Sequence, residues 1–180
     1  MKKSLVLETK LTEYVLPVSG MKNGIHQFDF EIGKDFFAYF PDAYLEEGAI
    51  TVHLEFDKRA SMYVMDFDIS GNVHTVCDRC SEEMWLAIEN TAQLLVKFSD
   101  SPSKDADVVH IPFGTEQFDI SQYIYEFICL AVPMIKTHED IDEDCSEEVM
   151  RYFNEVETNV EESSDNNPFK DALKGFNFKE

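Results

Sequence analysis

Apolar and polar positions alternate through the first half of the chain. Ile50, Val52, Leu54 and Phe56 stand between Thr51, His53, Glu55 and Asp57, a period of two that sends one set of side chains to each face of a half-buried strand. Residues 25–32 follow the same rule with Phe28, Phe30 and Ile32 on one face, and residues 63–69 follow it with Tyr63, Met65, Phe67 and Ile69. A turn at Asp57-Lys58-Arg59 would join two of these strands as a hairpin. Between the first two, Pro41 at the start and Gly48 at the end suit a short helical turn. Gly71-Asn72 reads as the next turn, leading into Val73–Val76, and Trp85 to Phe98 returns as a longer strand or strand pair. Successive short strands without helices between them predict an antiparallel meander rather than a parallel, doubly wound sheet.

The period changes after a polar, proline-containing loop at residues 99–105. Asp119-Ile120-Ser121-Gln122 resembles a capping box with Asp in the capping position, and Ile120, Ile124, Phe127 and Ala131 then share a helical face until Pro133 stops the pattern. A second helix is expected to start at Ser146 as N-cap, with Glu147 and Glu148 in its first turn and Val149, Phe153 and Val156 on one side. The fold class that follows is α+β, an antiparallel β-meander sheet with a CxxC hairpin and a helical C-terminal region. Residues 1–156 are read as one domain and residues 157–167 as an acidic flexible linker. Residues 168–180 form a short amphipathic segment, in which Pro168, Phe169 and Leu173 are candidate partner contacts.

Composition narrows the function. At 180 residues with 44% hydrophobic content and fifteen Phe, the chain can bury one good core. A formal net charge of -21 argues against a protein that grips nucleic acid by neutralising phosphates and favours basic partners. Twelve acidic residues lie between Glu139 and Asp165, against Arg151 alone. No apolar run reaches the roughly 18 residues needed to cross a bilayer. The Met1-Lys2-Lys3 start is followed by too short an apolar stretch for a secretory signal. Four cysteines fall short of a disulfide scaffold, and a cytoplasmic location is expected, with neither a membrane nor a small-molecule substrate as partner.

The candidate chemistry lies in Cys77-Asp78-Arg79-Cys80, with His138 and Cys145 far downstream. Thiolates and imidazole are the usual zinc ligands and a closed site takes four, so Cys77, Cys80, His138 and Cys145 are the candidates for one structural zinc. The same CxxC also fits a metal-free turn with hydrogen-bonded thiols, or a redox pair. Cys129 falls on the apolar side of its helix and reads as a core residue. Arg79 is a candidate contact to a partner's phosphate or carboxylate, set against solvation or pairing with Glu82 or Glu83. Trp85 is a candidate stacking contact, set against packing under the hairpin. His26, His53, His74 and His110 show no spacing suggestive of a triad.

Four motifs in order resemble the YceD family of bacterial proteins, the large ribosomal RNA subunit accumulation proteins, which have relatives in chloroplasts. Cys77-Asp78-Arg79-Cys80 is similar to the family's Cys-x-Arg-Cys, and Glu126 to Pro133 to its acidic-apolar-Leu-Ala-Leu-Pro segment. His138 and Cys145 stand where members carry a His or Cys followed by Cys, and Asn167 to Lys174 is similar to the closing Asp-Pro-Arg-x-x-x-Leu segment. Asn167 and Phe169 depart from the Asp and Arg of that closing motif, and Ser81 from a common Leu. The resemblance implies a role in making or maintaining large-subunit rRNA and no known catalytic activity. The partner it suggests is a basic ribosomal protein or a large-subunit assembly intermediate, with rRNA contacted indirectly. The competing readings are a thiol or metal enzyme built on the CxxC and an acidic adaptor unrelated to ribosomes.

Overall fold

The computed structural model describes residues 12–40, 43–99 and 108–152. Strands β1 (Val15–Leu16), β2 (Gly24–Ile32), β3 (Gly48–Lys58), β4 (Met62–Val76), β5 (Glu83–Phe98), β6 (Val108–Ile111) and β7 (Phe118–Asp119) are joined by a short helix α1 (Lys34–Phe37) and a longer one, α2 (Ser121–Ala131). The main sheet has the order β2-β3-β4-β5-β6, and β1 pairs with β7 in a separate ribbon. The period-two residues point inward as their pattern requires: Ile50, Val52, Leu54 and Phe56 of β3 and Tyr63, Met65, Phe67 and Ile69 of β4 are all buried. On this inner face lie Tyr14, Leu16, Phe36, Phe37, Ile120 just before α2, and the α2 residues Ile124 and Ile128, which close one core.

Three expectations are corrected. The helical turn lies at Lys34–Phe37, not at Pro41–Gly48; of that stretch Pro41 and Asp42 fall outside the described residues and residues 43–47 are irregular. The reason is the Phe36-Phe37 pair. In a strand the two rings would point to opposite faces, whereas a turn of helix swings both into the core, where they are 3% and 2% exposed. Gly71-Asn72 is not a turn: β4 runs unbroken through it for 15 residues, with Gly71 opposite Ile50 of β3 and Ile88 of β5. Finally, the sheet is mixed. β2 to β5 are antiparallel, but β6 adds in parallel to β5, with Leu95 opposite Val108. A four-residue strand, Val-Val-His-Ile, is too short to show alternation or direction, so the pattern alone could not reveal it.

In α2, Asp119 accepts a hydrogen bond from the Ser121 N–H at 2.9 Å just before the first turn, and Phe127 rests on Phe67 with ring centroids 5.3 Å apart. A further helical segment occupies residues 147–152, directly after Ser146. The expected apolar partners Phe153 and Val156, the linker at 157–167 and the segment carrying Pro168, Phe169 and Leu173 lie outside the described residues.

Candidate metal centre

The loop joining the antiparallel strands β4 and β5 spans residues 77–82, with Val76 and Glu83 as the last register pair. Its shape comes from its own backbone. The Cys77 N–H donates to the Glu82 carbonyl and the Ser81 N–H to the Cys77 carbonyl, both at 2.9 Å, while Ser81 takes a left-handed conformation with φ 61°. This curl aims the Arg79 N–H at the Cys77 sulfur, 3.4 Å away.

A second segment, after α2, is tied to the loop through Asp78. The Asp78 N–H donates to the Lys136 carbonyl at 2.8 Å, the Lys136 N–H returns to Asp78 Oδ2 at 2.8 Å, and Lys136 Nζ reaches Asp78 Oδ1 at 3.0 Å. The Lys136 backbone N–H, and then its ammonium, hold the Asp78 carboxyl below the ordinary aspartate range. Immediately downstream, Thr137 and Asp140 form a reciprocal capping box around the 3-10 turn His138–Ile141. Asp142, left-handed at φ 57°, ends that turn, and the Glu143 N–H closes on the His138 carbonyl at 2.9 Å. These contacts orient His138 and bring Cys145 back beside it.

Cys77, Cys80, His138 and Cys145 are thereby gathered with their donor atoms all within 4.8 Å of one another, a group that could hold one metal ion. Cys77 Sγ and Cys145 Sγ are 3.8 Å apart. His138 Nδ1 lies 3.3 Å from Cys80 Sγ and 3.8 Å from Cys145 Sγ. Four tetrahedral bonds of zinc length would set two sulfurs about 3.8 Å apart, and a sulfur and a nitrogen about 3.6 Å apart. The electrostatics point the same way. Burial opposes the Cys77 thiolate, but the N–H groups of Cys80, Arg79 and His138 outweigh it and bring the thiol down to about 6. Cys145 is pushed up to about 11, by burial first and then by Cys77 and Cys80. Three sulfurs this close cannot all ionise unless a cation sits among them.

The remaining candidates are placed as follows. Cys129 is half-buried in α2, packed against the core and outside the group of four. Arg79 pairs with Glu139, 60 residues away, rather than with Glu82 or Glu83. Trp85 does not pack under the loop; it stands on the outward sheet face, 47% exposed, with the His74 ring 5.2 Å from its own. The Asp78–Lys136 clamp is absent from the sequence reading. Its one signal was that Lys136 is the sole Lys or Arg between Pro133 and Met150. Asp78→Ala should lower the thermal midpoint clearly, because it strands the buried Lys136 ammonium. Arg79→Ala should barely move it, since its partner Glu139 is solvent-exposed. Thermal melts of the two variants check this, and equal effects would discount the clamp.

The family model described as large ribosomal RNA subunit accumulation protein YceD matches residues 65–177. The chain belongs to the YceD family. The matched span begins inside β4 and takes in all four members of the sulfur and imidazole group. No curated protein and no solved structure matches the chain. Family membership supports a ribosome-related role at the family level, in accumulation of the large ribosomal RNA subunit.

Proposed function

We propose that this YceD protein is a cytoplasmic, non-enzymatic ribosome assembly factor. It supports accumulation of large-subunit rRNA by holding a basic ribosomal protein or an early pre-ribosomal particle rather than naked RNA. Family membership carries the ribosomal part of this reading. The net charge of -21 carries the mechanistic part, since a strongly anionic protein repels phosphates but is steered quickly onto cationic proteins. Among the described residues no helix is long and apolar enough to cross a membrane.

Cys77, Cys80, His138 and Cys145 serve in this reading as ligands of one structural zinc. When bound, that ion neutralises the clustered thiolates and ties the β4–β5 loop to the segments that follow α2. Cys77, His138 and Cys145 are almost fully buried, which suits a staple better than a thiol that must meet a substrate.

Depleting the protein should selectively lower large-subunit rRNA and raise its precursors, relative to small-subunit rRNA. Quantifying both rRNAs by probe hybridisation checks this. An unchanged ratio in a strain with no redundant copy would remove the assembly reading.

A further inference from the structure

One face of the main sheet has no cover among the described residues. Helix α2, α1 and the β1–β7 ribbon all pack on the inner face, while the outward positions of β2 to β5 are exposed or half-exposed apart from Val64, which is buried. The register sorts these positions into rows across the four strands: Gln27, Glu55, Asp66 and Gln93; Asp29, His53, Asp68 and Thr91; Glu31, Thr51, Ser70 and Glu89. Six carboxylates share these three rows and no Lys or Arg stands within them; the face then turns apolar at Ile25, Val64 and Leu95, and Lys97 lies beyond that row. His53 is the nearest thing to a cation, held by Asp29 at 2.7 Å.

An ordinary solvent face mixes signs, and cross-strand neighbours of opposite charge stabilise a sheet where like charges cost stability. Here Glu55 lies directly across from Asp66, and the Gln93 amide donates to Asp66 at 2.6 Å. The three rows therefore present negative charge that no Lys or Arg within them offsets. Toward the loop end of the sheet the face becomes small at Ala49, Asn72 and Ala87, then aromatic at the His74–Trp85 pair. An open indole face of this kind attracts a guanidinium or ammonium group.

We propose that this outward sheet face is the docking surface for an extended, arginine- and lysine-rich segment of a partner protein, lying across the carboxylate rows with one cationic side chain against Trp85. The assignment rests on the assembly-factor reading for its biological partner, but the surface follows from register and charge. Binding places partner cations between carboxylates that repel one another in the free protein. Stability and affinity are therefore expected to respond in opposite directions when the charges are removed.

The test is a triple variant, Glu55→Gln, Asp66→Asn and Asp68→Asn, measured with an oligo-arginine peptide at low salt. Its charge-matched control is Glu13→Gln, Glu116→Gln and Glu126→Gln, three exposed carboxylates away from the sheet face. The face variant should melt no lower than the parent and bind the peptide about tenfold more weakly, with the control within about threefold of the parent. Trp85→Ala should weaken binding further. Equal losses in the two triple variants would mean that net charge alone attracts the peptide, and the assignment would fail. Tighter binding of a single-stranded RNA oligonucleotide than of the peptide would also overturn it. Complementation separates the two readings. If depletion lowers large-subunit rRNA and the face variant restores it fully, the docking face is wrong and the assembly role stands. If depletion changes nothing, the assembly role falls and the peptide comparison still decides the face.

Discussion

Replacing Gly71 with alanine should be among the most damaging single substitutions in this protein, costing about 3–5 kcal/mol. Gly71 sits mid-strand in β4 with φ +151°, a conformation that L side chains rarely adopt, and a Cβ added there would stand 2.3 Å from the Ala49 carbonyl oxygen and 2.6 Å from the Ile50 Cα. Both obstacles are backbone of β3, so no rotamer change removes them. Retreat of β3 is blocked on its other side by β2, where Ile50 faces Ile32, and Ile50 is itself a core residue at 3% exposure. A chain of this size loses about 2–4 °C of Tm per kcal/mol, so a fall of roughly 10 °C is the expected reading. Gly114→Ala is the control: its φ is +82° but nothing lies within 4 Å, so it bears the conformational strain without the collision. If urea denaturation placed the Gly71 variant within about 1 kcal/mol of the parent, the close approach of β3 and β4 would be wrong.

The same glycine shows where sequence reasoning reached its limit. Alternation located β2, β3 and the first part of β4 because one face of each is buried and the other wet, which writes the period directly into residue choice. Gly71-Asn72 has the composition of a turn, and nothing local distinguishes a glycine that reverses the chain from one that lets two strands touch. The difference lies in Ala49 and Ile50, more than twenty residues earlier. Tertiary packing decides likewise for Phe36-Phe37, whose helical turn follows from both rings entering one core. For β6, the strand's direction depends on where the chain crosses.

The four candidate ligands were legible because their chemistry is narrow: two thiols at CxxC spacing need partners, and few residue types qualify. What holds them together was not. Asp78 and Lys136 are ordinary surface residues by type, and only the fold shows that they exchange two backbone-involving hydrogen bonds and an ion pair across 58 residues. By sequence Arg79 is a candidate to meet a partner or a neighbouring Glu, and in the fold it is committed instead to Glu139 on the segment that carries His138. Both ties join the loop to the same segment. The β4–β5 loop and residues 136–145 therefore form one unit whose outer contacts prearrange the donor atoms, and a metal would lock a geometry the chain already favours.

That arrangement predicts how the protein responds to loss of the metal. Purified protein should contain one zinc per chain, and Cys145→Ser or Cys80→Ser should abolish it, whereas Cys129→Ser should leave it in place because that thiol lies outside the group. Without the ion the thiols cannot all stay ionised and take up protons instead, and the bonds that tied the β4–β5 loop to residues 138–145 are lost. Stability should fall by about 4 kcal/mol, a Tm loss of roughly 8–16 °C. The loss should be greatest where the ion ties the chain. The core of β2 to β5 rests on apolar burial and long registers that owe nothing to the cysteines, so amide exchange should accelerate in residues 77–82 and 136–152 while β3 and the centre of β4 stay protected. Acid should act as chelation does, since protons compete for the same thiolate and imidazole lone pairs. A chelated protein that melts at the parental temperature with unchanged exchange would show that hydrogen bonds alone hold the loop, and the zinc staple would be discarded. A uniform loss of protection across the sheet would instead make the site part of the global core, a larger role than the geometry assigns it.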